Sequence, residues 1–332
     1  MAQTQLYAKR AQIFVSEEGT IDTYAVQAAG DVILGQDVTW TVESSNWTPQ
    51  YARGDFLMGD EVPGSAAATL TFSVPCVGSG DPGDVPLEYT DALKMCGMYV
   101  KDTVATSTVA SPTSTFDSAT SYPHESYSAT ALIDGIRVGV KGGFGNLTFE
   151  GNPDGPGMFT FTMQGGYVAV ADDALETPTY LTAIPPQFTV AVASSLELNI
   201  GGAYVHKGVE SFSWDLGNTV VVGKDVNDTV GVYGARITGH NVTGTFSSEM
   251  KLVATQDPFG DWRAGTASTS FTTGVIGTAG TTGYTMALGR VVLRPPSLSD
   301  RNGIMAVEIP WAASSANTDV EDTALDLSIT YA

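Results

Sequence analysis

The chain has 332 residues, with 36 Asp and Glu against 15 Lys and Arg and a formal charge of −21. Residues 1–175 carry 21 acids and 7 bases and residues 176–332 carry 15 and 8, so neither half offers the cationic surface that tight nucleic-acid binding needs. Only 15% of residues are charged and 37 are glycine, which with frequent polar–apolar alternation predicts an all-β chain with short helices.

The start, MAQTQLYAKRAQIFVSEEG, lacks the apolar region of a secretory signal, and no run reaches the length of a membrane span. Both points predict a soluble chain made in the cytoplasm, with Cys76 and Cys96 kept as buried, unbridged thiols.

Along the chain, VTWTVESSNW (Val38–Trp47) reads as a strand, followed by an irregular TPQYARGDFLMGDEVPG. A second alternating run, Thr69–Val77, leads into Gly78-Ser79-Gly80-Asp81-Pro82-Gly83, which fits the G-x-G-x-x-G of a dinucleotide site. The local chemistry argues against that use. Asp84 and Val85 separate the last glycine from Pro86, which suits a first helical position, and Asp81, Asp84, Glu88 and Asp91 would repel an anion. The preferred reading is a strand-to-helix turn. Tyr89, Ala92, Leu93 and Cys96 then form one apolar helix face, with Gly97 at the left-handed cap position.

A Ser/Thr/Ala-rich stretch follows, and then paired strands split by the turn Asn152–Gly157. After a Pro-rich linker near Asp172–Pro186 the order repeats. Ser211–Val220 matches the first strand, with Trp214 matching Trp40, and Val242–Val253 matches the second. A helix is expected from Pro258 to Gly265, then another Ser/Thr/Ala stretch and strands split at Pro295–Gly303. This order predicts two tandem domains, 1–175 and 176–332, each a β-sandwich or barrel-like unit with one flanking helix. Val38–Glu43 should pair with Ala68–Val74, and Ser211–Leu216 with Val242–Ser248, presenting polar faces that hold Glu43 and Asp215.

Catalytic signals are missing. His124, His206 and His240 lack ligand spacing, and no G-x-S-x-G occurs. The carboxylate pairs Glu17-Glu18, Asp60-Glu61 and Asp172-Asp173 read as solvated loops, and Asp81, Asp84 and Glu88 lack the spacing of a calcium loop. No enzyme activity, cofactor or metal site is predicted.

LTFSVPCVGSGDPGDVPLEYTDALKMCG, with the preceding AQIFVSEEGTIDTYAVQAAGDVILGQDVTWTVESSNWTP, resembles the tail tube proteins of long-tailed bacteriophages, in the branch with two tandem tube domains. SATALIDGIRVGVKGGFGNLTFEGNPDGPGMFTFTMQGGY resembles that family's glycine-bearing strand and hairpin, and FSWDLGNTVVVGKDVN its second-domain Leu-Gly-Asn segment. The helix ends in Met95-Cys96-Gly97 where the family typically has Ala-Cys-Gly.

The resemblance implies a structural, non-enzymatic subunit of the virion tail, assembled in the host cytoplasm. Three chains would form a pseudo-sixfold ring, and stacked rings would form the conduit for the genome. Its partners would be itself and tape measure, terminator and distal tail proteins, with DNA passing through without tight binding and no membrane contact. The strands Val38–Glu43 with Ala68–Val74 and Ser211–Leu216 with Val242–Ser248 would pair across rings of subunits and form the channel wall. Glu43 and Asp215 become candidates for the lumen, and Gly78, Gly80, Pro86 and Gly97 for a helix and turn near a subunit contact. The alternative is a monomeric β-sandwich module, carbohydrate-binding or adhesive, on a virion surface.

Overall fold

The computed structural model describes residues 11–49, 60–76, 89–103, 107–112, 126–177, 197–199, 203–205, 209–265, 267–268, 270–273, 275–276, 283–288, 290–314 and 327–331. In the first half the strands are β1 (Ala11–Glu17), β2 (Val32–Ile33), β3 (Gln36–Trp47), β4 (Val62–Pro75), β5 (Met98–Thr103), β6 (Ser107–Pro112), β7 (Tyr127–Ile133), β8 (Ile136–Gly151) and β9 (Met158–Asp172). Helix α1 (Thr90–Met95) lies between β4 and β5. The second half supplies β10 (Glu197–Asn199), β11 (Ala203–Val205), β12 (Ser211–Asp215), β13 (Thr219–Lys224), β14 (Val232–Gly239), β15 (Thr243–Glu249), β16 (Ala267–Ser268), β17 (Ser270–Thr272), β18 (Tyr284–Leu288), β19 (Val291–Leu293), β20 (Ser297–Arg301), β21 (Ile304–Ala313) and β22 (Ser328–Tyr331). Helix α2 (Pro258–Ala264) lies between β15 and β16. The chain is mostly strand, with short helices, as composition predicts.

Both predicted strand pairs form. β3 pairs antiparallel with β4, setting Trp40 opposite Leu70, and β12 pairs with β15, setting Trp214 opposite Gly244. In the first half neighbours run β3-β4-β9-β8, with α1 following β4; in the second they run β12-β15-β21-β20, with α2 following β15.

The two halves are not separate sheets. β8 is long enough to pair with β7 near its start and with β12 near its end, setting Phe149 opposite Trp214. That joint makes one 13-stranded sheet from strands of both halves. A second, seven-stranded sheet also mixes them, through β6 and β22.

Alternation explains the layering. Ala68, Leu70, Phe72 and Val74 of β4 are buried, while Ala67, Thr69, Thr71 and Ser73 between them are half-exposed. The second sheet lies under this apolar face. Phe246 of β15 meets Phe271 of β17 at 6.4 Å, and the Trp214 indole donates to Met286 Sδ of β18 at 3.3 Å. Each fully buried aromatic contributes about 1.5–3 kcal/mol by leaving water. One core cluster therefore spans residues from Ile13 to Tyr331.

The helix ends follow the sequence. Pro258 opens α2 after Asp257, whose carboxylate accepts from Gly260 N at 2.8 Å, and Gly265 closes it at φ 62°. Gly97, at φ 76°, closes α1 by donating to Lys94 O. Residues 77–88, with Gly78, Gly80, Pro86 and the acids Asp81, Asp84 and Glu88, lie outside the described residues, as do residues 50–59, His124, His206 and the linker from residue 178.

Candidate functional site

The face of the large sheet turned away from the core carries a continuous polar surface. One register row reads Gln36, Ser73, Thr160, Thr148, Asp215, Thr243, crossing β3, β4, β9, β8, β12 and β15. Hydroxyls bond across strands on this face, Ser73 with Thr160 at 2.9 Å and Ser213 with Thr245 at 3.1 Å. Both predicted strand pairs thus turn their polar sides to one surface.

Glu43, Glu150 and Glu308 are exposed on this face. Asp215 is different. It is half-buried, and its Oδ1 accepts from Asn146 Nδ2 and from Gly217 N, both at 2.7 Å. Cations sit among the acids: Arg301 of β20 donates to Ser247 Oγ at 2.6 Å and pairs with Glu210 at 2.7 Å, and Arg294 lines a shallow groove at the joint of the halves, beside Thr148, Glu150, Ser213 and Asp215. The strand positions alone do not reveal Arg294, because it lies just after β19.

Below Asp215 a turn staples the halves together. Gly217 takes φ 61°, and a side chain there would meet Asn241 O at 2.4 Å. The turn lets Leu216 N donate to Leu147 O, and Asn218 Nδ2 donate to Cys96 O at 2.7 Å and Gly145 O at 2.9 Å. Asn218 thereby satisfies a carbonyl at the C-terminus of α1. Above it, Trp214 stacks on Phe149 with ring centroids 5.7 Å apart. The Leu-Gly-Asn segment is the mechanical joint between the two halves.

A second clamp comes from the hairpin β13–β14. Ala66 N donates to Val230 O, Lys141 Nζ bonds Asp228 Oδ2 at 2.6 Å, and Arg236 bonds Asp22 at 3.3 Å. What burial Asp228 has works to raise its carboxyl pKa, but Lys141 and the Val230 amide outweigh it and hold the group below the usual carboxylate range.

Glu18, expected in a solvated loop, is buried at 4% exposure. Its Oε1 accepts from Ser128 Oγ at 2.6 Å and Gly142 N at 2.7 Å, and its Oε2 from Ser126 Oγ. Asp173 likewise bonds Arg137 at 3.3 Å, while Asp60 and Glu61 are exposed. These carboxylates hold structure. Among the described residues, no group of three or more His, Cys, Asp and Glu is placed to hold a metal ion.

Cys76 and Cys96 are buried free thiols. Burial pushes both pKa values up. Neither thiol has the character of a nucleophile.

The ribbon β3-β4-β9-β8-β12-β15-β21-β20 is open at both ends: among the described residues β3 pairs only with β4, and β20 only with β21. Apolar side chains stand exposed at the second end, Leu298, Ile304 and Met305 among them.

A broad antiparallel sheet, apolar beneath, polar above and open at both ends, defines a β-sheet building block. The family model described as phage tail tube protein matches residues 8–313, and the chain belongs to that family. Membership implies a structural component of the virion tail that assembles with itself and with other tail proteins. No curated protein matches the chain.

Proposed function

We propose that this protein is the repeating subunit of a tail tube, in which three copies close into a pseudo-sixfold ring and stacked rings form the genome conduit. The single observation that carries the reading is the family match over residues 8–313. Residues 1–175 and 176–332 act as two copies of one tube domain, which the parallel orders β3-β4-β9-β8 and β12-β15-β21-β20 support. The protein is non-enzymatic, assembles in the host cytoplasm, and joins tape measure, terminator and distal tail proteins at the tube's ends.

In this reading the polar sheet face lines the lumen. Short hydroxyl side chains make it smooth, and Glu43, Glu150, Glu308 and Asp215 outnumber Arg294 and Arg301, the latter paired with Glu210, so DNA has few cations to release counterions against. Glu43 is the cleaner probe of the wall, because Asp215 also holds Asn146 and Gly217. Phage carrying Glu43→Lys should assemble tails of normal length and eject DNA more slowly at low salt, recovering as salt rises and screens the added cations. Normal ejection at low salt would remove Glu43 from the lumen.

A further inference from the structure

The joint inside the chain gives the register of the joint between chains. Strand pairing fixes which residues of the two halves correspond. Trp40 stands opposite Leu70 in β4, and Trp214 stands opposite Gly244 in β15. Leu70 and Gly244 each lie two residues before the core phenylalanine of their strand, Phe72 and Phe246, so Trp40 corresponds to Trp214. Phe161 of β9 pairs with Phe72, and Ile309 of β21 pairs with Phe246. Phe159 therefore corresponds to Val307. Their partners on the far side are Phe149 of β8 and Leu298 of β20, which correspond in turn.

The two equivalent positions differ in cover. Phe149 is 1% exposed because β12 lies beside it and Trp214 stacks on it. Leu298 is 52% exposed on an edge that is unpaired among the described residues. At the other end of the ribbon, Trp40 is half-buried, resting on Tyr167 at 6.1 Å, and β3 also has an unpaired edge. Each end displays half of the joint that β8 and β12 complete within the chain.

We propose that β20 of one subunit pairs antiparallel with β3 of a second copy, with Leu298 opposite Trp40, Ser297 opposite Thr41 and Ser299 opposite Thr39. The internal pairs Phe149–Trp214, Thr148–Asp215 and Glu150–Ser213 are the template. The proposal rests on the ring reading above and adds to it the strands and the register. Ring closure by such a head-to-tail contact covers Leu298 with an indole and leaves neither strand with an open edge. The facing hydroxyls Ser297–Thr41 and Ser299–Thr39 extend the polar surface from one subunit to the next.

The test is a cysteine pair, Thr41→Cys with Ser297→Cys, assembled under reducing conditions, oxidised, and run on a denaturing gel. Directly opposed strand residues lie within disulfide reach, and the native thiols are buried. A covalent cyclic trimer is expected. Either single variant should stay monomeric, and Thr41→Cys with Ser299→Cys, two residues out of register, should cross-link weakly or not at all. Tubes that form without the cross-link would overturn the register and leave the tube reading standing. Absence of tubes from the unaltered protein would overturn both. Hydrogen exchange on unaltered tubes supplies a second readout that needs no substitution: the amides of β3 and β20 should gain protection on assembly, and unchanged exchange there would also overturn the joint.

Discussion

Replacing Gly217 by alanine is expected to destabilise the protein by about 3–5 kcal/mol, combining a left-handed backbone with a collision. The new Cβ would stand 2.4 Å from Asn241 O, and that backbone is held in place by the bond from Asn241 N to Leu216 O. Relief requires moving the Leu216–Asn218 turn, which releases the Asn218 bonds to Cys96 O and Gly145 O. Gly265→Ala is the matched control. Gly265 has nearly the same φ, 62°, but nothing lies within 4 Å of a Cβ there, so only the conformational cost of about 1 kcal/mol remains. Denaturant unfolding of the two variants separates the terms. Equal losses would show that the turn is not the joint described.

Glu18→Ala should cost about 3–5 kcal/mol, because it leaves the Gly142 amide and the Ser126 and Ser128 hydroxyls without their acceptor in a site that water does not reach. Glu18→Gln should cost only about 1–2 kcal/mol: the amide oxygen can still accept from Gly142 N, and a serine hydroxyl can rotate to accept from the new NH2 group. Thermal unfolding of both variants checks the order. A Gln variant as unstable as the Ala variant would mean that the charge itself, and not the acceptor geometry, holds the loop.

Local signals were legible where local physics decides. Pro258 and Gly265 mark the limits of α2, Gly97 caps α1, and alternation in Thr69–Val74 places Leu70 and Phe72 inward. The strand pairs that hold Trp40 and Trp214 were readable from alternation, and each indole stands opposite a residue of the partner strand expected for it, Leu70 and Gly244. The joint between halves was not. Nothing local to Thr148 or Asp215 says that β8 will extend past β7 to meet β12, since strand pairing between distant segments leaves no periodic trace. Glu18 was missed for a related reason. In sequence it is one of two adjacent acids before a glycine, the pattern of a solvated turn, and its three donors come from residues more than a hundred positions away. Asp215 was legible as a polar-face acid but not as the acceptor for Asn146 and Gly217.

The central claim is that this chain builds tubes, and electron microscopy of the purified protein, raised to high concentration, tests it most directly. The account predicts hollow tubes or rings with apparent sixfold symmetry from three chains per ring. Small featureless particles at every concentration, with a monomer mass in solution, would contradict it and favour a β-sandwich module that works alone.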